Sequence, residues 1–363
     1  MSSAGVMQDE AAGQQRVVSA TLLQDLPVET LIEILSNLDF EAFDNMLLVS
    51  RRLRSVVELH WPSIFPDIME REFSPVKGLF DAFWDVDLPC EMACSQLLMA
   101  CGTLNSLHPL LSFCRVVRRW EVEFTRLRFS NVPQYTRSLQ LHELFRLRQG
   151  LYVWWRFARS FHGPAACADS SPEARRVFMQ QLSTTELHEA YDMWETIRRA
   201  VGRTVCPSVS VVRGFGGKLL THEEGARVGW GDIPENLDIV DTMMRLRPED
   251  ILHLLVYRHR YATKASVIRF VRLRHPRIED SVETFSGAIL DVMRQRGVSL
   301  FWPFTCPGFP NPRGGILDHR EPDIERLRAD YSTDVGQCAL GDDEWRMSGR
   351  PAVVRAGRLE ANP

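Results

Sequence analysis

The sequence has no closely spaced cysteine pair. Its eight cysteines stand at 90, 94, 101, 114, 167, 206, 306 and 338 and never form CxxC. The tight ligand pairs of a structural zinc site are therefore missing. Cys90, Cys94, Cys101, His108 and Cys114 cluster loosely, but in a mainly apolar stretch where core packing is expected, and no metal is assigned. The opening MSSAGVMQDEAAGQQRVVSA has no positive segment leading into an apolar one, so a secretory signal is not expected. The cysteines then read as reduced, mostly buried thiols. Residues 92–114 form the one uncharged stretch long enough to cross a bilayer. Ser95, Gln96, Gly102, Thr103, Asn105, His108 and Pro109 make crossing costly, so two buried helices hinged near 102–105 are expected and no membrane partner. Charge is balanced, with 43 Lys and Arg against 47 Asp and Glu, and no basic run with interleaved aromatics stands out. That argues against a nucleic-acid partner, which wants a basic patch.

Catalytic signatures are lacking too. There is no HExxH and no GxSxG. The segment RGFGGK at 213–218 invites a phosphate-loop reading and fails on spacing, since Val212 and Leu219 occupy the required glycine and Ser/Thr positions. A glycine turn is the expectation there. His222, Glu223 and Glu224 lie together in a loop with no nucleophile signature beside them, and His253, His259 and His275 read as solvated or capping groups. No catalytic residue and no cofactor are assigned. An enzyme reading would need a deep polar pocket with His222 or Glu223 turned into it.

What is present is most legible at 22–61, LLQDLPVETLIEILSNLDFEAFDNMLLVSRRLRSVVELHW. Pro27 can open a helix, because a first-turn residue needs no amide donor. Leu31, Ile34, Leu35 and Leu38 then recur at helical spacing. Asp39 is a good N-cap for a second helix over 40–48, and Ser50 for a third carrying Leu53, Val56, Val57 and Trp61. A unit of about forty residues lies near the size at which one core seldom suffices. It is expected to complete its burial against a partner.

This segment resembles the F-box. The matching residues are Leu26, Pro27, Glu29, Leu31, Ile34, Leu35, Leu38, then Leu48, Val49, Ser50 and Arg54, with the family's spacing between the Leu-Pro and Val-Ser pairs. Leu53 keeps apolar a position where many members carry Trp. The continuation HWPSIFPDIMEREFSPV at 60–76 is similar to the follow-on segment of F-box proteins common in filamentous fungi. The resemblance implies docking on a Skp-type adaptor, and through it on a cullin and a ubiquitin-transfer module. Leu26, Pro27, Leu31, Ile34, Leu35, Leu48 and Val49 would supply part of the adaptor contact. The rest of the chain would select a protein substrate, and the location would be cytoplasmic, nuclear or both.

The expected architecture is mainly α. Residues 1–20 read as a disordered N-terminus, 21–64 as the F-box, and 65–90 as a connector. An irregular all-helical domain follows over 91–302, then a Pro/Gly-rich, largely flexible tail over 303–363. Pro62, Pro66, Pro75, Gly78 and Pro89 are expected to break 62–90 into short pieces. Helices are expected over 110–129, 139–163, from Pro172, and from the Ser183–Glu186 capping box to Arg199, with Gly202 ending the last. No fixed-period repeat marks a leucine-rich, kelch or WD-type substrate domain.

Residues 203–234 read differently: a Gly- and Val-rich loop with room for one short hairpin at 209–220. Long loops inside folded domains are functional or disordered. Phe215 and Trp230 are the candidate substrate-binding aromatics there, although a loop tryptophan between glycines more often plugs its own domain. The functional expectation is a substrate receptor of a Skp–cullin–F-box ligase. The alternatives are a scaffold that binds the adaptor outside a ligase and an enzyme with a site in the helical domain.

Overall fold

A computed structural model describes residues 26–84, 104–130, 133, 136–162, 171–214, 221–261, 263–275, 284–298 and 315–317. The expectations for Phe215, for residues 1–20, for Cys90, Cys94 and Cys101, and for most of the 303–363 tail lie outside these residues. The described residues contain helices and no strand, so the fold is mainly α. Two compact units emerge. The first holds the described residues 26–80 and 104–112, the second 81–84 and 113–317.

The first unit begins with α1 (Val28–Asn37), α2 (Phe40–Val49) and α3 (Arg51–Phe73), followed by α4 (Val76–Trp84) as far as Phe80. Asp39 caps α2 by accepting the Ala42 amide at 2.7 Å, and Ser50 caps α3 by accepting the Leu53 amide at 3.4 Å. α3 is the spine on which α1 and α2 pack. It buries Val57, Trp61, Ile64, Phe65, Ile68, Met69 and Phe73. Phe40 meets Phe73 edge-on at 4.9 Å and Phe43 meets Phe65 at 5.5 Å, so α2 runs antiparallel to α3. The expected break at Pro62 and Pro66 does not occur. Both lie inside α3. Each forfeits one backbone bond, but the apolar face that continues past them into Phe73 outweighs that loss.

The second unit is built on α5 from Phe113 onward (Leu104–Arg128), α6 (Leu141–His162), α7 (Pro172–Gln180) and α8 (Thr184–Thr204). α6 and α8 pack most extensively. Gly150 permits this approach, since a Cβ there would sit 3.4 Å from the Ala190 Cα. Trp120, Tyr152, Trp154, Trp194 and Phe157 are fully buried. The Trp120 indole donates to the Pro248 carbonyl at 3.2 Å. The Ser183 capping box forms as expected. α8, however, runs through Gly202 to Thr204, and a Cβ at Gly202 would meet the Val240 side chain at 3.5 Å, so this glycine lies at a packing contact. Cys114 and Cys206 are buried, and burial pushes the Cys206 thiol far up.

The segment 203–234 is not a long loop. It folds into α9 (Val209–Gly214) and α10 (His222–Val228), which pack on each other, so no hairpin forms at 209–214. Thr221 and Glu224 make a capping box at the start of α10. The two flanks are laced together. The Trp230 amide donates to the Pro207 carbonyl at 2.8 Å, and the Val209 amide to the Gly231 carbonyl at 3.1 Å. A Cβ at Gly229 would lie 2.7 Å from the Val209 Cα, and Gly231 has φ of +87°. These glycines serve close approach and a left-handed turn.

α11 (Ile233–Met243), α12 (Pro248–Val256), a 3₁₀ turn (Arg258–Arg260), α13 (Lys264–Arg274) and α14 (Phe285–Gln295) complete the unit. Beyond them, Gly315, Ile316 and Leu317 are buried, which corrects the boundary drawn at 302. The Ile316 amide donates to the Asp192 carboxylate at 3.0 Å, and Arg146 donates to the Gly315 carbonyl at 3.4 Å.

Candidate protein-interaction site

The first unit gathers its exposed apolar residues at one end, and three arginines of α3 set that geometry. α1 and α2 are short and carry no basic residue in their last turns. Their terminal carbonyls need donors from elsewhere. Arg54 supplies two bonds to the Leu47 carbonyl, at 3.2 and 3.0 Å. Arg71 reaches the Ser36 carbonyl at 3.3 Å and the Leu38 carbonyl. Arg52 donates to the Leu26 carbonyl at 2.9 Å. α1 therefore lies along α3 in the same direction, its start held near Arg52 and its end near Arg71. Because Arg52 and Arg54 sit in one helical turn, the start of α1 and the end of α2 are held at the same end of the unit.

The candidate contact residues divide accordingly. Leu31 and Leu35 are each 1% exposed, so they build the unit's interior and offer no surface to a partner. Sequence spacing grouped them with the contact residues because it cannot tell the inner face of a helix from an outer one. Leu26 and Ile34 are half-buried and Pro27 is exposed. Leu48 and Val49 stand out at 69% and 81% exposure. Pro27, Leu48 and Val49 are thus exposed at the end of the unit where the Arg52–Leu26 and Arg54–Leu47 clamps lie. Leu59, 76% exposed, was not anticipated. It follows Arg52 by seven residues, two helical turns, and so shares its side of α3. Its position off the buried Leu53, Val56, Val57, Trp61 stripe was the available signal.

The second unit presents Trp230 differently. It is 6% exposed, its carbonyl accepts from the Asn236 side chain at 3.4 Å, and it plugs its own domain. Its ring offers little to a partner. Glu223 is exposed on α10. A cleft of about 210 Å³ between α7 and α14 is lined by Glu173, Arg176, Asp291 and Arg294 among others, and Glu223 does not line it. Among the described residues no cluster of His, Cys, Asp and Glu could hold a metal ion, and no helix is long and apolar enough to cross a membrane.

His259 is exposed as expected, but His275 and His253 depart from the solvated reading. His275 is buried, 2.8 Å from the Asp250 carboxylate, which also meets Arg274 at 3.3 Å. His253 stacks on Phe270 with ring centroids 5.2 Å apart and touches the Tyr261 hydroxyl at 2.8 Å. The stretch from Tyr257 to Arg274 is moreover a basic run with interleaved aromatics. It does not stand out in the sequence, because the charges are spread over a turn and a helix.

No curated protein and no solved structure matches the chain. A family model does match, covering α1, α2 and most of α3: residues 23–67 are an F-box-like domain.

Proposed function

We propose that the protein docks on a Skp-type adaptor through the exposed end of its F-box-like domain and acts as a substrate receptor of a cullin ubiquitin ligase. F-box domains are protein-interaction modules that typically bind such adaptors. The observation that carries the reading is the pair Leu48 and Val49, large aliphatic side chains left in solvent at the clamped end of that domain. Exposed aliphatics grouped in this way are a binding signature. The helical unit then selects the protein to be modified, and the chain itself contributes position rather than chemistry.

The test is capture of the adaptor by the full-length chain. Replacing Leu48 and Val49 with Glu removes two interface anchors, each worth about 2 kcal/mol, or roughly thirtyfold in affinity. Their exposure leaves folding nearly untouched, within about 0.5 kcal/mol. Adaptor capture should fall sharply while helix content stays constant. Unchanged capture would exclude this surface. A cullin in the captured complex supports the receptor reading, and an adaptor without a cullin would favour a scaffold.

A further inference from the structure

Between Asp250 and Glu279 the sequence contains no acidic residue, yet Arg258, Arg260, Lys264, Arg269, Arg272 and Arg274 all fall within it. The described part folds as the end of α12, the 3₁₀ turn and α13. Four rings meet there. His253 lies 4.9 Å from Tyr257, 5.9 Å from Tyr261 and 5.2 Å from Phe270, and Tyr261 lies 5.3 Å from Phe270. Two guanidinium groups rest against this cluster, Arg260 at 4.7 Å from the Tyr257 ring and Arg274 at 5.6 Å from the Phe270 ring. A guanidinium seated on a ring face loses rotamer freedom before any ligand arrives, while its edge keeps the forked donors that fit carboxylate and phosphate oxygens.

Arg258, Arg260 and Arg269 are exposed, and no carboxylate pairs with them among the described residues. Lys264 donates to the Ala226 carbonyl at 3.0 Å, a neutral partner that leaves its charge uncompensated. Burial, followed by the charges of Arg274 and Arg260, holds the His253 imidazole below its ordinary value, with Asp250 opposing. A net positive potential therefore covers a firm aromatic platform.

We propose that the surface formed by residues 257–261 and 263–274 binds a protein segment bearing clustered carboxylate or phosphate side chains. The proposal rests on the receptor reading and names the class of substrate that receptor would take. A nucleic acid fits less well, because its repeating phosphates need a long basic track, whereas this surface is one turn and one helix on a chain of net charge −4.

The test uses the full-length chain and three fluorescent probes: a short peptide rich in Glu and phosphoserine, its Gln and Ser counterpart, and a single-stranded oligonucleotide. The acidic peptide should bind, and the neutral one should bind at least about tenfold more weakly. Raising the salt from about 0.1 to about 1 M should weaken the complex, as the screening length shrinks from about 10 to about 3 Å. The triple substitution Arg258→Gln, Arg260→Gln and Arg269→Gln should cost at least about tenfold. The His253 imidazole, followed by NMR, should titrate at higher pH with peptide present, since a bound anion offsets the neighbouring guanidinium charges. Equal binding by the triple variant, an unmoved His253, or tighter binding of the oligonucleotide would overturn the proposal. Adaptor capture by the same samples separates the two readings. Its persistence in the triple variant assigns any lost peptide binding to this surface, and its absence from the unmodified chain would count against the receptor role alone.

Discussion

Glu189 shows how one residue couples burial to pH. It is 7% exposed on α8, and its nearest cation is Arg146 at 3.5 Å. Burial raises its carboxyl from 4.5 to about 7, with Arg146 opposing and Glu186 assisting. The folded chain thus keeps a proton that the unfolded chain releases above about pH 4.5. The stability this contributes is full at low pH and is lost as pH rises through about 7. Glu189→Gln removes the titration, so the decline of the thermal midpoint between those two pH values should flatten. An unchanged slope would mean that Glu189 is already ionised in the fold. Nothing in the sequence announced this, because Glu189 looks like any polar residue of an amphipathic helix. The Asp250–His275 pair was hidden for the same reason: its partners lie 25 residues apart.

At the scale of the element, two helices of the F-box-like domain depend on a third. α1 and α2 have ten residues each, too few to persist alone in water. Arg54 closes the end of α2, and Arg71 the end of α1. Arg54→Ala should weaken α2 by about 1–2 kcal/mol. Hydrogen exchange of its amides should quicken roughly five- to thirtyfold, with Arg71→Ala doing the same for α1. Uniform change across both helices in either variant would show that the clamps are not local. The starts of these elements were legible, since Pro27, Asp39 and Ser50 act through neighbours a few residues away. Their ends were not, because the closing groups come from distant sequence. Prolines 62 and 66 misled for a related reason: the packing that overrides them is tertiary. In α9 and α10, a glycine needed for contact reads in sequence like a glycine needed for freedom.

For the whole molecule, one long-range tie of the second unit is the clip at 315–317. Asp192 is nearly fully buried and receives Arg128 at 2.8 Å as well as the Ile316 amide. A chain ended after residue 302 leaves one carboxylate oxygen without that donor. The second unit should then lose about 1–3 kcal/mol, seen as an earlier thermal transition than that of a chain ended after Leu317, which retains the clip. Equal melting of both truncations would make the clip ornamental. The arginine clamps of the first unit carry a consequence of another kind, for synthesis. The donor for the Leu38 carbonyl lies 33 residues downstream. At ~5–20 residues per second, a ribosome delivers Arg71 roughly 2–7 s after Leu38. Through that interval Leu31 and Leu35 have no α3 to cover them, and the nascent chain presents a greasy, uncapped helix to whatever chaperone waits at the exit tunnel.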